Sequence, residues 1–108
     1  VLVELGRRLG GMVRSTDCFA RFGGEEFCCL LPQTPLANAQ ILAERFRTAI
    51  GGKPVAHQDL ALEVSISLGV TEASGTDTRK SLMQRVDEAL YAAKEAGRNR
   101  VVLLPPEA

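Results

Sequence analysis

Apolar residues recur along this chain at intervals that change from helical to strand-like and back. Leu2, Leu5, Leu9 and Met12 or Val13 form one stripe at three- and four-residue spacing, which predicts a helix over 1 to about 14. Gly10-Gly11 weakens it, since each interior glycine costs about 1 kcal/mol relative to alanine, so the helix must pack closely there or fray. Cys18-Phe19-Ala20-Arg21-Phe22 and Phe27-Cys28-Cys29-Leu30-Leu31 then flank Gly23-Gly24. Two such runs around a glycine pair predict a β-hairpin with Gly-Gly at its tip and a buried second strand. Pro32 and Pro35 bracket a turn. Ala39, Leu42, Ala43, Phe46, Ala49 and Ile50 predict a second helix from about 35 to 50, stopped by Gly51-Gly52.

Beyond a loop at Lys53-Pro54, Val64, Ile66, Leu68 and Val70 alternate with Ser65, Ser67 and Gly69, the signature of a strand over about 62–71. Leu82, Val86, Ala89, Leu90 and Ala93 mark a last helix over about 80–96, with Gly97 placed to end it. Val101 to Leu104 completes the pattern as a strand, and Pro105-Pro106 opens a short tail. The order α-β-β-α-β-α-β is an α+β arrangement with a hairpin at its centre.

Composition narrows the possibilities. A chain of 108 residues is one small domain. Thirteen basic and 13 acidic residues leave no net charge, which argues against a nucleic-acid binder working through a basic face. No apolar run reaches membrane-spanning length and no signal peptide opens the chain, so a cytoplasmic domain with no direct membrane contact is expected, whatever anchors a longer parent. Cys18, Cys28 and Cys29 lack metal-ligand spacing, and adjacent residues of a strand point to opposite faces; buried free thiols are expected. His57, in a polar stretch near Pro54, reads as a solvated loop residue. No Gly-x-x-x-x-Gly-Lys-Ser/Thr run occurs, which excludes a P-loop enzyme.

The chemistry concentrates in Gly23-Gly24-Glu25-Glu26-Phe27. Glycines let a phosphate approach bare backbone, and carboxylates are hard oxygen donors; together they suit a Mg²⁺-nucleotide site. A plain hairpin turn with solvated acids would carry the same residues. Lys94 and Arg98, four apart across the end of the last helix, have the groups of a phosphate clamp, but complementing the helix dipole is the plainer reading of their spacing alone.

Read together, Arg14-Ser15-Thr16-Asp17, Arg21-Phe22-Gly23-Gly24-Glu25-Glu26-Phe27, Val64-Ser65-Ile66-Ser67-Leu68-Gly69-Val70 and the run from Asp87 to Arg100 resemble the GGDEF family of diguanylate cyclases in its Gly-Gly-Glu-Glu-Phe variant. The likeness extends from about Val1 to Val102. It implies a nucleotidyl-cyclase-like sheet with flanking helices, related to the palm of polymerases, over residues 1–104, with 105–108 as a tail. In the family a further strand and helix precede the segment that begins here at Val1. That strand carries a metal-binding Asp, and the stretch after it carries the Asn and Asp that read guanine. None of these residues is in the sequence, so little or no synthesis is expected of the chain by itself.

The resemblance also implies roles. Two GTP would be condensed to cyclic di-GMP and two pyrophosphates, in a homodimer whose facing subunits share the site. Glu25 matches the position that ligates metal and assists loss of the 3′-OH proton. Glu26 matches a second acidic position supporting the metal, with a strand-start ion pair as its structural alternative. Gly23 and Gly24 would adjoin the GTP phosphates, and Lys94 and Arg98 would hold the terminal ones. Two Mg²⁺ per half-site are expected, with Mn²⁺ as a substitute. Arg14 and Asp17 match the R-x-x-D inhibitory site for cyclic di-GMP, to which Arg45 or Arg47 from the next helix could contribute. A sensory or receiver domain upstream would supply the input. The competing expectation is a catalytically silent domain that only senses cyclic di-GMP; adenylyl or another nucleotidyl cyclase chemistry is a more distant one.

Overall fold

The computed structural model describes residues 1–106; the last two residues of the expected tail, 107–108, lie outside them. The apolar stripes meet where α1 (Leu2–Gly10) crosses α2 (Leu36–Gly51). Leu5 and Leu9 of α1, Phe46 and Ile50 of α2, and Val55 form the buried core, with Leu42, Phe19, Phe27, Val64, Ile66 and Leu68 packed around it. Helix α1 is shorter than its stripe suggests. It stops at Gly10, and the Gly11 and Met12 amides donate to the Arg7 and Leu9 carbonyls in a closing turn. Arg8 ties α1 to the chain beyond α2 by donating to the carbonyls of Lys53 (2.7 Å) and Pro54 (3.0 Å).

Strands β1 (Cys18–Gly23) and β2 (Glu26–Leu30) form the expected antiparallel hairpin, with Phe19 opposite Cys29 and Arg21 opposite Phe27. The Phe19 and Phe27 rings stack with centroids 5.3 Å apart, beneath Gly10 and Gly6 of α1. The second strand is half-buried rather than buried. Its Phe27 face lies against α1, while the opposite face of the hairpin leaves Cys18, Ala20 and Leu30 exposed. The thiols depart from expectation for the same reason: Cys18 is exposed, and Cys28 and Cys29 are only partly covered. Burial nonetheless pushes the Cys29 thiol up to about 11, so it stays protonated at neutral pH.

A second hairpin, β3 (Val55–His57) with β4 (Leu60–Leu62), occupies the expected loop, and exposed His57 pairs with Leu60. Only residues 68–71 of the long alternating run form ladder, as β5 (Leu68–Thr71), parallel to β6 (Val101–Leu104). Helix α3 (Arg79–Glu95) connects these two strands and packs on both. Thr78 and Ser81 form a capping box at its start, with the Ser81 amide donating to Thr78 Oγ1 at 3.1 Å. Gly97, at φ +121°, ends it. The Arg98 amide reaches the Ala93 carbonyl at 3.0 Å and the Gly97 amide the Lys94 carbonyl at 3.3 Å, the paired bonds of a Schellman motif.

Candidate functional site

Among the described residues the strands form three separate two-stranded sheets, and of the candidate residues only Gly23 and Glu26 lie on one of them, the β1–β2 hairpin. At the hairpin tip the turn is Gly24-Glu25 rather than Gly23-Gly24: Gly23 closes β1 and pairs with Glu26, which opens β2. Gly24 adopts φ +54°, a left-handed conformation that glycine takes without steric cost. No other group stands within 4 Å of the place a Cβ would occupy there, so the backbone is open to a ligand from that side. Arg21 folds over the turn and donates to the Gly24 carbonyl through Nε at 2.8 Å and again through Nη2. Glu25 and Glu26 are both exposed.

Glu26 faces α3. Together with Asp87, Leu90, Tyr91 and Lys94 it lines a shallow, open cavity of about 230 Å³. Residues 87, 91 and 94 recur at four- and three-residue spacing, so they occupy one helical stripe. The cavity thus sets a carboxylate at the start of β2 against an ammonium in the last turn of α3. Sequence reasoning proposed Glu26 and Lys94 but overlooked Asp87 and Tyr91 between them, although their helical spacing to Lys94 was visible. Arg98 does not share that stripe. It follows the end of α3 in the left-handed conformation, at φ +62°, exposed and away from the cavity-lining set.

Arg14 and Asp17 form a closed local unit. The Arg14 amide donates to Asp17 Oδ2 at 2.7 Å, its guanidinium Nη2 to Oδ1 at 2.9 Å, and the Asp17 amide returns to the Arg14 carbonyl at 3.0 Å. Nη2 also donates to Thr34 Oγ1 (2.8 Å) and the Pro32 carbonyl (3.3 Å). The guanidinium hydrogen bond holds the Asp17 carboxyl below the usual carboxylate range and raises Arg14 in turn. Arg14 keeps 58% of its side chain exposed while that of Asp17 keeps 1%, so the arginine is the accessible partner. Arg45 stands on the exposed side of α2 beside Gln40, Ile41, Glu44 and Thr48, along a separate open groove. Arg47 engages Glu44 at 3.0 Å and Asn99 at 3.4 Å.

Among the described residues no group of three or more His, Cys, Asp or Glu is gathered as a metal cage. Glu25 and Glu26 therefore offer one or two carboxylates, the number Mg²⁺ takes when substrate phosphates and water complete its shell. The residues present fit that ion as a partner of bound nucleotide. They do not fit a dedicated all-protein site.

The fold and these residues define a domain of the GGDEF type. A model of the GGDEF diguanylate cyclase domain matches residues 1–100. The response regulator PleD of Caulobacter vibrioides is 47% identical over 105 residues, covering 94% of this chain and 23% of that protein. Diguanylate cyclase SiaD of Pseudomonas aeruginosa, solved with its activator SiaC, superposes with a TM-score of 0.89 at 40% identity, over 95% of this chain and 40% of that one. The GGDEF domain of DgcB from Caulobacter crescentus, solved with c-di-GMP, gives 0.83 at 27% identity, over 93% and 63%. This chain belongs to the GGDEF diguanylate cyclase family. It spans under a quarter of the length of PleD.

Proposed function

We propose that this domain serves the condensation of two GTP into cyclic di-GMP with release of two pyrophosphates. The observation that carries the reading is the cavity bringing Glu26 and Lys94 to one place from opposite ends of the sequence. Each 3′-OH attacks the α-phosphate of the other GTP, forming two phosphodiester bonds, breaking two bonds to pyrophosphate and releasing two protons. One domain supplies half of such a site, so two copies must face each other. Glu25, in the exposed turn, accepts the 3′-OH proton; Glu26 and Glu25 offer oxygen to Mg²⁺, which when bound neutralises phosphate charge. The open backbone of Gly23-Gly24 gives the phosphates room, and Lys94 holds their far end. Arg98, exposed in the Schellman turn outside the cavity, would meet only phosphate oxygens that extend beyond Lys94. SiaD and PleD support a further reading, that catalysis answers to a partner or an upstream receiver domain.

Arg14 and Asp17 are proposed to bind cyclic di-GMP as an inhibitory site, with exposed Arg45 contributing from its own groove on α2. A second reading, a silent cyclic di-GMP receptor, draws on the small number of carboxylates gathered at the hairpin tip. Incubation with GTP and Mg²⁺, with nucleotides resolved by chromatography, separates the two when run beside calorimetric titration with cyclic di-GMP. Synthesis establishes the cyclase reading. Binding without synthesis in a longer parent that carries the preceding strand and helix establishes the receptor, and the absence of both binding and synthesis there removes both readings.

A further inference from the structure

Gly69, within β5, sits tight against the main chain of α3. A Cβ on Gly69 would stand 2.3 Å from the Leu90 nitrogen, 2.7 Å from the Val86 carbonyl oxygen and 2.8 Å from the Ala89 carbonyl carbon. All three are main-chain atoms of α3, so no side-chain rotation relieves the overlap. The φ of Gly69 lies outside the left-handed range, so space alone demands glycine. Ala89 and Ala93, both fully buried, continue the small-residue face of α3 toward its end.

The same helix carries the wall of the candidate site. Val86, Ala89 and Leu90 meet Gly69, while Asp87, Tyr91 and Lys94 of the adjoining stripe face Glu26 across the cavity. Strands β2 and β5 belong to separate sheets, so no ladder of backbone hydrogen bonds fixes Glu26 relative to α3. Packing sets that relation. We propose that Gly69 is a positioning residue for the phosphate site: its missing side chain fixes the depth at which α3 seats on β5, and with it how Lys94 faces Glu26. The proposal rests on the reading of Lys94 as a phosphate ligand. A helix lifted off β5 would take the Lys94 ammonium with it and lengthen its contact with phosphate.

The test measures GTP affinity in the presence of Mg²⁺ for the wild type, Gly69→Ala, Lys94→Ala and the double variant, with the backbone amide resonances of Tyr91 and Lys94 followed by NMR. Gly69→Ala, folded by circular dichroism, is expected to shift both resonances and weaken GTP binding about tenfold, the loss of a charge-assisted contact. In the Lys94→Ala background it should add nothing, because the contact it disturbs is already gone. Wild-type affinity in folded Gly69→Ala, or full additivity with Lys94→Ala, overturns the proposal. Should Gly69→Ala not fold, Ala93→Val presses on the same buried face of α3 one turn beyond Ala89 and next to Lys94, and unchanged affinity there overturns it equally. Failure of the underlying reading looks different. A wild type that does not bind GTP, or a Lys94→Ala protein that binds it fully, removes the phosphate site even where the two resonances move.

Discussion

Arg85 and Asp77 meet side by side, Nη1 to Oδ1 at 3.0 Å and Nη2 to Oδ2 at 2.6 Å, with both side chains about nine-tenths covered. Arg85 also donates to Thr71 Oγ1 at 2.7 Å and the Glu72 carbonyl at 2.8 Å, while Asp77 accepts from the Ser74 amide and Ser81 Oγ. One ion pair thereby fastens the end of β5 to the start of α3. Glu72 carries the fastening further, its carboxylate accepting from the Leu36 amide at the head of α2.

The hydrogen bond from Arg85, then those from Ser74 and Ser81, hold the Asp77 carboxyl far below the usual carboxylate range. A depressed folded-state pKa contributes stability that is present above the unfolded value, near 3.9, and is lost as pH falls below it. Arg85→Met should therefore raise the midpoint of acid unfolding toward pH 4. Circular dichroism along a pH titration reads this directly, and an unchanged midpoint would show that Asp77 is held by its other partners.

Glu25→Gln keeps the shape of the turn and removes the proton acceptor. In the full-length parent, synthesis of cyclic di-GMP should fall by about two to four orders of magnitude, the range general-base contributions span. Affinity for cyclic di-GMP at Arg14 should not change. Turnover at the wild-type rate would take Glu25 out of the mechanism.

Arg14→Ala removes the exposed guanidinium and leaves Asp17 with only the backbone amide of position 14 as its donor. In the full-length parent, product inhibition should weaken at least tenfold while the initial rate, set at the hairpin tip, stays within about twofold; tenfold corresponds to about 1.4 kcal/mol. Progress curves at rising cyclic di-GMP decide the matter. Inhibition of undiminished strength would detach the R-x-x-D motif from regulation.

Gly97→Ala forces a side chain into φ +121°. Such strain costs about 1–3 kcal/mol, so the thermal midpoint should drop by several degrees. Ile50→Ala, at a core position only 1% exposed, should cost about 2–5 kcal/mol. Denaturant melts of the two variants side by side rank them. A larger loss at Gly97 would mean that the turn after α3, rather than the core, limits stability.

Both long helices were legible because each writes its own period. Ala39, Ala43, Phe46 and Ile50 are buried as their spacing requires, and so are Ala89 and Ala93. Gly97 was equally readable as a helix stop. The β3–β4 hairpin was not, since its turn places Gln58 at φ +48° where glycine or asparagine would have announced it, and only Val55 of its two strands is buried. The run from Val64 to Val70 shows why alternation misleads. Val64 and Ile66 are half-buried beside exposed Glu63 and Ser65, yet they have no ladder partner; alternation reports which side faces the core, and pairing depends on a neighbour elsewhere in the chain. At the site, the acidic signature was plain in the sequence. The closed Arg14–Asp17 unit and the departure of Arg98 from the Lys94 stripe depend on turns that spacing alone does not specify.

Arg98 holds its charge on a backbone that a glycine would adopt with less strain. Arg98→Gly should ease that strain and discard the guanidinium in the same step. If the variant melts later but grips nucleotide less well, the arginine is kept against the interest of the fold, and position 98 records a compromise between durability and use.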